Sequence, residues 1–364
     1  MHIIFHIPKH IDRTDASASE IRPSRLIRTF KELGYVVDVV EGYGRERKAQ
    51  IAAIKKKIRD GVKYDFLYSE SSTMPTLLTE RHHLPTYPCL DFSFLRFCKK
   101  NAIPIGLFYR DIYWNFVNKS ADWKQCVARP FYLYDLKMYR RLLDVLFLPT
   151  TDMLQYIPFR FDRTVEELPS GCPFQPLKHE SAGQVLEIFY VGGLGGDYDL
   201  RYLVQAVAKT EGVHLTLCCR QSDWQTVATD YEPLLNDRIT VVHKKGDELL
   251  ELYARADLFA MVFTPSEYRR FAAPFKLFET VGYGVPVLAT ANTWAGRYVE
   301  KNKIGVCCDN DVDSLCGSLE ELLANREILE VFRTNIVKVA QENTWQARCE
   351  QIKNTLTHLN ADRK

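Results

Sequence analysis

Short runs of β-branched and aromatic residues alternate with segments of helical periodicity along the whole of this 364-residue chain. That alternation constrains the fold more than any other feature, because it calls for a parallel sheet with helices on both faces. His2–Ile7, Val36–Val40, Tyr64–Tyr68, Pro104–Phe108 and Val145–Leu148 read as strands, with helices around 20–33, 46–59, 91–100 and 129–143 between them. Val36–Val40 is a nearly continuous apolar run, the pattern of a strand covered on both faces. Pro158, Pro169, Gly171, Pro173 and Pro176 then punctuate a structure-poor stretch over 158–180. The rhythm restarts at Leu186–Val191 and continues through Val213–Cys219, Ile239–Val242, Leu258–Val262, Val285–Ala289 and Ile304–Cys307. The expected fold class is α/β, with two doubly wound Rossmann-like domains facing a cleft. An N-terminal domain over 1–165, a linker over 166–180 and a second domain over 181–343 are expected.

Several classes are set aside by composition. No apolar run approaches the roughly 20 residues that span a bilayer, and Met1–Ile7 is strand-like and lacks a cleavage pattern. Ten cysteines are scattered without a C-x-x-C, which fits reduced thiols and a cytoplasmic protein. His82 and His83 are adjacent rather than spaced as ligands, and no metal site is expected. The net charge is +2, but residues 1–168 hold 27 lysines and arginines against 20 acids, so they carry +7. A basic first half points to an anionic partner, either a phosphate-bearing substrate or, peripherally, an anionic membrane face. No nucleic-acid-binding module is present, so nucleic acid is not expected as a partner.

In open α/β sheets ligands bind beyond the carboxyl ends of the strands. The most informative loop of this kind runs from Val262 into a compact helix beginning near Pro274 and stopping at Gly284. Pro274 suits the first helical position and Gly284 the position just past the end. Ala272 and Ala273 cannot cap with a side chain, which leaves backbone amides open at the positive end of the helix dipole. Lys276 and Glu279 lie three apart and lean back toward that end. One cation, one carboxylate and open amides could hold a diphosphate and, beside it, a sugar hydroxyl. The same pattern also fits a surface ion pair on an ordinary buried helix.

Other candidates sit in equivalent loops. Val191-Gly-Gly-Leu-Gly-Gly196 follows a strand, and Gly193 and Gly195 permit close backbone approach to a ligand or serve a tight turn. The G-x-G-x-x-G dinucleotide fingerprint fails here, with Tyr198 at its third position, and this disfavours an NAD-dependent oxidoreductase. Arg220 ends a strand, and Tyr268, Arg269 and Arg270 precede the compact helix and could close over a donor. In the first half, Arg110-Asp111 follows a strand, flanked by Tyr109, Tyr113 and Trp114. Asp111 is a candidate base or hydroxyl binder there, or else a partner of Arg110 or a turn cap. Glu70 lies similarly after the third strand.

Pro274-Phe-Lys-Leu-Phe-Glu279, followed by Gly284-Val-Pro-Val-Leu-Ala-Thr290, resembles the P-x-K-x-x-E…G-x-P-V-x-A-T signature of family 4 glycosyltransferases of the GT-B architecture. Tyr190-Val-Gly-Gly-Leu-Gly195, Ala256-Asp257 and Asn343-Thr-Trp345 resemble the glycine turn, the strand and the last-helix start of the same group. The resemblance covers about 186–361. It implies a nucleotide-diphosphate sugar as donor and a glycan or lipid-linked acceptor, in polysaccharide or cell-surface glycan synthesis. It further implies that Glu279 binds ribose, that Lys276 and the helix start neutralise the diphosphate, and that neither metal nor cofactor is needed. Arg110 and Asp111 would face the transferred sugar or the acceptor, with Glu70, Tyr109 and Trp114 on that side. Residues 344–364 would form a helix crossing back to the first domain. Phe271 stands where the family often has a first glutamate, so contact to the donor sugar falls to backbone or to Glu267, and diphosphate contacts to Lys276, Arg220 or Arg269. A nucleotide-sugar epimerase and a non-catalytic nucleotide-sugar-binding protein are the alternatives.

Overall fold

The computed structural model describes residues 1–13, 17–116, 123–180, 183–196 and 198–361. It divides into two compact units, one of 1–171 with 345–364 and the other of 172–344.

The first unit is built on a parallel sheet of β1 (His2–His6), β2 (Val36–Val40), β3 (Phe66–Glu70), β4 (Ile105–Phe108), β5 (Val145–Leu148) and β6 (Thr164–Glu167). Their order is β2-β1-β3-β4-β5-β6. The middle strands are buried throughout, as a sheet covered on both faces requires. Helices Gly44–Arg59, Leu90–Lys100 and Trp123–Leu142 pack side by side in one layer, while Ala18–Glu32 packs against Trp345–Ala361 in the other. Right-handed crossovers account for the two layers, because the chain moves one way along the sheet from β1 to β2 and the other way afterwards.

Two expectations change here. Val36–Val40 lies at the sheet edge and is half-exposed, only Val40 being buried. Its Asp38 accepts from Lys57 Nζ at 2.7 Å and faces His2 Nε2 at 3.0 Å, and it also bonds the Tyr64 hydroxyl. These bonds outweigh burial and hold the Asp38 carboxyl below its ordinary pKa. The stretch over 158–180 is not without regular structure either, since Thr164–Glu167 adds a sixth strand in parallel register with Val145–Leu148. Its four residues, Thr164 and Val165 followed by Glu166 and Glu167, are none of them fully buried, which suits a charged sheet edge.

The second unit repeats the plan with β7 (Leu186–Val191), β8 (Val213–Cys218), β9 (Ile239–Val242), β10 (Leu258–Met261), β11 (Val287–Thr290) and β12 (Gly305–Cys308). The sheet is parallel throughout, in the order β12-β11-β10-β7-β8-β9. Phe189, Phe259 and Tyr253 pack ring to ring beneath it, with Leu277, Phe278 and Val281 of the Phe275–Tyr283 helix in the same core. The segment leading into this unit is fastened to the far end of that helix. Gln175 N donates to Gly282 O at 3.1 Å and Leu177 N to Tyr283 O at 2.9 Å. A Cβ on Gly282 would lie 2.1 Å from Pro173 O, so this approach needs glycine.

Candidate functional site

In the second sheet the chain runs outward from β7 to β8 and β9 on one side, and from β10 to β11 and β12 on the other. The carboxyl ends of the adjacent β7 and β10 therefore flank the position where the strand order reverses, the place where such sheets bind ligands. Two loops meet there. After β7, Gly195 takes φ +92 and exchanges backbone hydrogen bonds with Tyr198, while Gly193 O accepts from the Tyr190 hydroxyl at 2.5 Å. After β10, the Arg269 guanidinium stacks 4.9 Å from the Tyr198 ring and 4.5 Å from the Phe263 ring. Arg269 is thus buried as a bridge between the loops rather than free to swing over a donor. Tyr268 is half-buried with its ring edge-on to Phe271 at 5.3 Å, and Glu267 and Arg270 are exposed. Phe271 is only 1 % exposed, a core residue.

The helix that follows starts one residue later than expected, at Phe275, with Pro274 as its N-cap. Proline keeps the extended backbone of the cap position (φ −71, ψ 133) and offers no side-chain acceptor. Two later helices of the unit are capped conventionally, Thr293 accepting from Gly296 N and Asp311 from Ser314 N. At the Phe275 start no side chain competes for the anion-attracting dipole end, and Ala273 beside it is half-buried. Gly284 ends the helix with φ +84, as expected.

Lys276 Nζ donates to Glu279 Oε2 at 2.5 Å, and both side chains are partly exposed. The Tyr253 hydroxyl donates to the same Glu279 oxygen at 3.5 Å. Burial, reinforced by the Glu279 charge, pushes the Tyr253 phenol well above its ordinary pKa, so it remains a donor. Lys276 and Lys244 both bring positive charge to Cys218 at the end of β8, although burial still raises that thiol's pKa. Arg220, the N-cap of the Gln221–Tyr231 helix, is exposed, with no side-chain partner among the described residues. The positive groups therefore gather at the carboxyl ends of β8, β9 and β10. Lys244 and Tyr253 escaped the sequence reading. Lys244 could have been found by the strand-end rule, since it follows β9 in His243-Lys244-Lys245. Tyr253 gives no local signal, being one apolar-face residue of a short amphipathic helix.

In the first unit the expectations are rearranged. Arg110 does not pair with Asp111. Its Nη2 donates to Glu70 Oε2 at 3.0 Å and its Nε to Ser71 O at 3.3 Å. Burial lowers the Arg110 pKa, with Glu70 opposing that effect. Glu70 is 0 % exposed, and its other oxygen accepts from Arg22 Nε at 3.0 Å and the Tyr68 hydroxyl at 3.1 Å. It holds arginines rather than reaching an acceptor. Tyr109 and Trp114 also turn inward, Trp114 Nε1 donating to the Tyr109 hydroxyl at 3.0 Å and its ring stacking on Tyr132 at 4.9 Å. Glu70, Tyr109 and Trp114, expected on the acceptor side, are thus all buried, with these partners on their polar atoms. Asp111 adopts the turn-capping alternative, Oδ1 accepting from Ile112 N at 2.6 Å and Tyr113 N at 2.9 Å. A buried network was also missed. His6 Nε2 faces Asp91 Oδ1 at 3.0 Å and its Nδ1 faces Ser69 Oγ at 2.8 Å, with Arg47 also on Asp91. It fixes the carboxyl ends of β1 and β3 from below. Among the described residues no group of three or more His, Cys, Asp or Glu is arranged to hold a metal ion.

Comparison with known proteins fits this geometry. Residues 186–325 match the family model of glycosyl transferases group 1. No curated protein sequence matches the chain. Among solved structures, sucrose-phosphate synthase from Thermosynechococcus elongatus superposes with a TM-score of 0.69 at 14% identity, with 100% of each chain covered. Anabaena HepE in complex with UDP gives 0.69 at 13% identity, covering 98% of this chain and 100% of that one. WaaG, a glycosyltransferase involved in lipopolysaccharide biosynthesis, gives 0.60 at 14% identity, covering 98% and 99%. The two sheets of this chain are the two Rossmann-like domains of the GT-B glycosyltransferase fold.

Proposed function

We propose, from the premise that the second unit is a group 1 glycosyl transferase domain in a chain of GT-B fold, that this protein transfers a sugar from a nucleotide-diphosphate sugar to a glycan or lipid-linked acceptor. The observation that carries this reading is the meeting of Lys276, Glu279 and a helix start without a side-chain cap, beside the place where the strand order reverses. HepE binds UDP and UDP-glucose in its solved complexes, which supports a nucleotide sugar as the donor class.

In this reading Glu279, held by Lys276 and Tyr253, accepts hydrogen bonds from the ribose hydroxyls. Lys276 and the helix start stabilise the negative charge that grows on the diphosphate as the bond from the sugar's anomeric carbon to the diphosphate oxygen breaks. Arg220 and Lys244 add positive charge from the neighbouring strand ends. The turn at Gly193 and Gly195 lets the ligand approach the backbone, and Arg269 ties that turn to the loop before the helix. These protein cations and amides do the work without a metal or cofactor. As the acceptor oxygen bonds to the anomeric carbon, Asp111 takes the acceptor hydroxyl proton if the reaction inverts; if it retains, Asp111 orients substrate and the departing diphosphate takes that proton, with Arg110 fixing the loop behind Asp111. The cationic first unit brings the enzyme to an anionic membrane face, where a lipid-linked acceptor would lie.

A thermal-shift panel of UDP, GDP, TDP and CMP sugars tests the reading. One nucleotide class should raise the melting temperature, and release of nucleotide from that sugar should depend on an acceptor. Turnover of the donor with no acceptor would favour the epimerase alternative. Binding without turnover across a broad acceptor set would favour the binding-protein alternative.

A further inference from the structure

We propose that Arg22 is a positioning residue of the reaction, one that braces the Asp111 turn, through Glu70 and Arg110, against the segment 168–171 by which the chain leaves the first unit. This rests on the role given to Asp111 in the preceding reading and adds a residue that is itself buried, 3 % exposed.

The need for such a residue begins in the backbone. Past Glu167, the last residue of β6, Leu168-Pro-Ser-Gly171 carries the chain to the second unit, which starts at Cys172. Leu168, Pro169 and Gly171 are buried, yet they lie beyond the strand, so the carbonyl oxygens of this segment need partners other than a sheet ladder. Arginines meet three of them in succession. Arg22 Nη2 donates to Leu168 O at 3.3 Å and its Nη1 to Pro169 O at 3.0 Å, and Arg348 Nε donates to Ser170 O at 3.3 Å. Gly171 then passes against Trp345, where a Cβ would be 2.6 Å from the indole. The segment is therefore a fixed anchor.

The same guanidinium reaches the Asp111 turn by two routes. Its Nε donates to Glu70 Oε1 at 3.0 Å, and Glu70 Oε2 accepts from Arg110 Nη2 at 3.0 Å. Its Cζ also lies over the Phe108 ring, 3.7 Å from the centroid, and Phe108 ends β4 just before the turn. Arg110 N donates in turn to Ser71 Oγ at 3.0 Å, and its Nη1 to Ala18 O at 3.5 Å, at the start of the helix that carries Arg22. Asp111 is the next residue. Stability alone does not explain this arrangement. One arginine is enough to neutralise Glu70, and a second buried guanidinium adds a desolvation cost that pairing often fails to repay. Of the two arginines, Arg22 is the one that also holds the segment leaving the unit.

The test compares Arg22→Met and Arg22→Lys with the parent chain. Methionine removes the charge, and a lysine ammonium cannot span Glu70 and two carbonyls while stacking on Phe108. Both variants leave carbonyls of the anchor unmet and should melt earlier, so the deciding readouts are taken where all the proteins are folded. The amides of Ile112 and Tyr113, which bond Asp111 Oδ1, should exchange roughly tenfold faster in both variants, while Ile7, bonded to Val40 O, should exchange as in the parent. Turnover should fall roughly 10- to 100-fold, with the donor KM and the nucleotide thermal shift as in the parent. Added to Asp111→Asn, Arg22→Met should lower kcat by no more than about twofold further, because the group it positions is already gone. Losses that multiply in full would overturn action through Asp111. Parent-like exchange at Ile112 and Tyr113 in both variants would overturn the brace itself. A parent chain that transfers no sugar would instead overturn the preceding reading, and the exchange rates would still decide whether Arg22 holds the turn.

Discussion

Lys276 Nζ and Glu279 Oε2 are 2.5 Å apart, and the same carboxylate oxygen is 3.5 Å from the hydroxyl of Tyr253, a ring buried in the core of the second unit. The pair is therefore anchored from below and partly open above. Lys276→Ala and Glu279→Ala should each remove the nucleotide-induced rise in melting temperature. The unliganded fold should lose less than about 1 kcal/mol, as for other partly exposed ion pairs. Loss of Lys276 should lower kcat/KM by roughly 10²- to 10³-fold if it stabilises the departing diphosphate. Variants that bind nucleotide as well as the parent would rule out this helix as the donor site.

Glu70 and Asp111, two carboxylates flanking Arg110, should behave oppositely. Glu70→Ala leaves Arg22 and Arg110 buried without their shared anion and should cost about 3–5 kcal/mol in urea unfolding. Asp111→Asn keeps an acceptor oxygen for the Ile112 and Tyr113 amides and should cost no more than about 1–2 kcal/mol. With an inverting reaction, Asp111→Asn should reduce turnover by roughly 10²- to 10⁴-fold and preserve the nucleotide thermal shift. Unchanged turnover would confine Asp111 to shaping its turn.

Gly282→Ala tests the fastening of the 172–177 segment to the Phe275–Tyr283 helix. The added methyl would sit 2.1 Å from Pro173 O and 2.9 Å from Cys172 Cβ, so the segment must move away. A loss of about 1–3 kcal/mol is expected, as for overpacking elsewhere. Faster amide exchange at Gln175 and Leu177, whose N–H groups bond this helix end, would locate the damage. Slow exchange at both in the alanine variant would show that the contact tolerates a side chain.

Asp135 should give stability a pH dependence. It is buried, Oδ2 accepts from Thr76 N at 2.7 Å and Oδ1 has no hydrogen-bond partner. Burial, aided by the nearby Asp91 charge and opposed by the Thr76 and Tyr139 hydrogen bonds, raises its pKa to about 7. The folded chain then keeps a proton that the unfolded chain releases. This contribution to stability is complete below the ordinary value of 3.8 and disappears as pH rises to about 7. Asp135→Asn retains an acceptor for Thr76 and should flatten that decline, leaving the variant more stable than the parent at pH 8 by up to a few kcal/mol. Parallel urea midpoints for the two proteins from pH 4 to 8 would refute this.

The two-sheet plan was legible because most buried strands had to be short apolar runs, such as Val145–Leu148 and Leu258–Met261. The pairing of Lys276 with Glu279 was legible for the same kind of reason, since helical spacing alone puts them on one face. What escaped depends on neighbours distant in sequence. Val36–Val40 looks like a central strand, and only the sheet order makes it an edge. Arg110 beside Asp111 looks like an ion pair, yet Glu70, forty positions away, captures the guanidinium. Arg269 was placed near the donor by its loop, but its burial follows from Tyr198 and Phe263 arriving on either side.

The first unit is discontinuous, and this bears on how the chain can be made. Its sheet is covered on one face by Trp345–Ala361, whose Ile352 and Leu356 are fully buried. Leu356 lies so close to β4 that a Cβ on Gly106 would be 2.9 Å from its Cδ2. During synthesis from the amino end, the second unit is complete before that covering helix leaves the ribosome. The earlier-made unit must therefore wait, with part of its apolar sheet open to water or to a chaperone, until residues 345–361 have emerged.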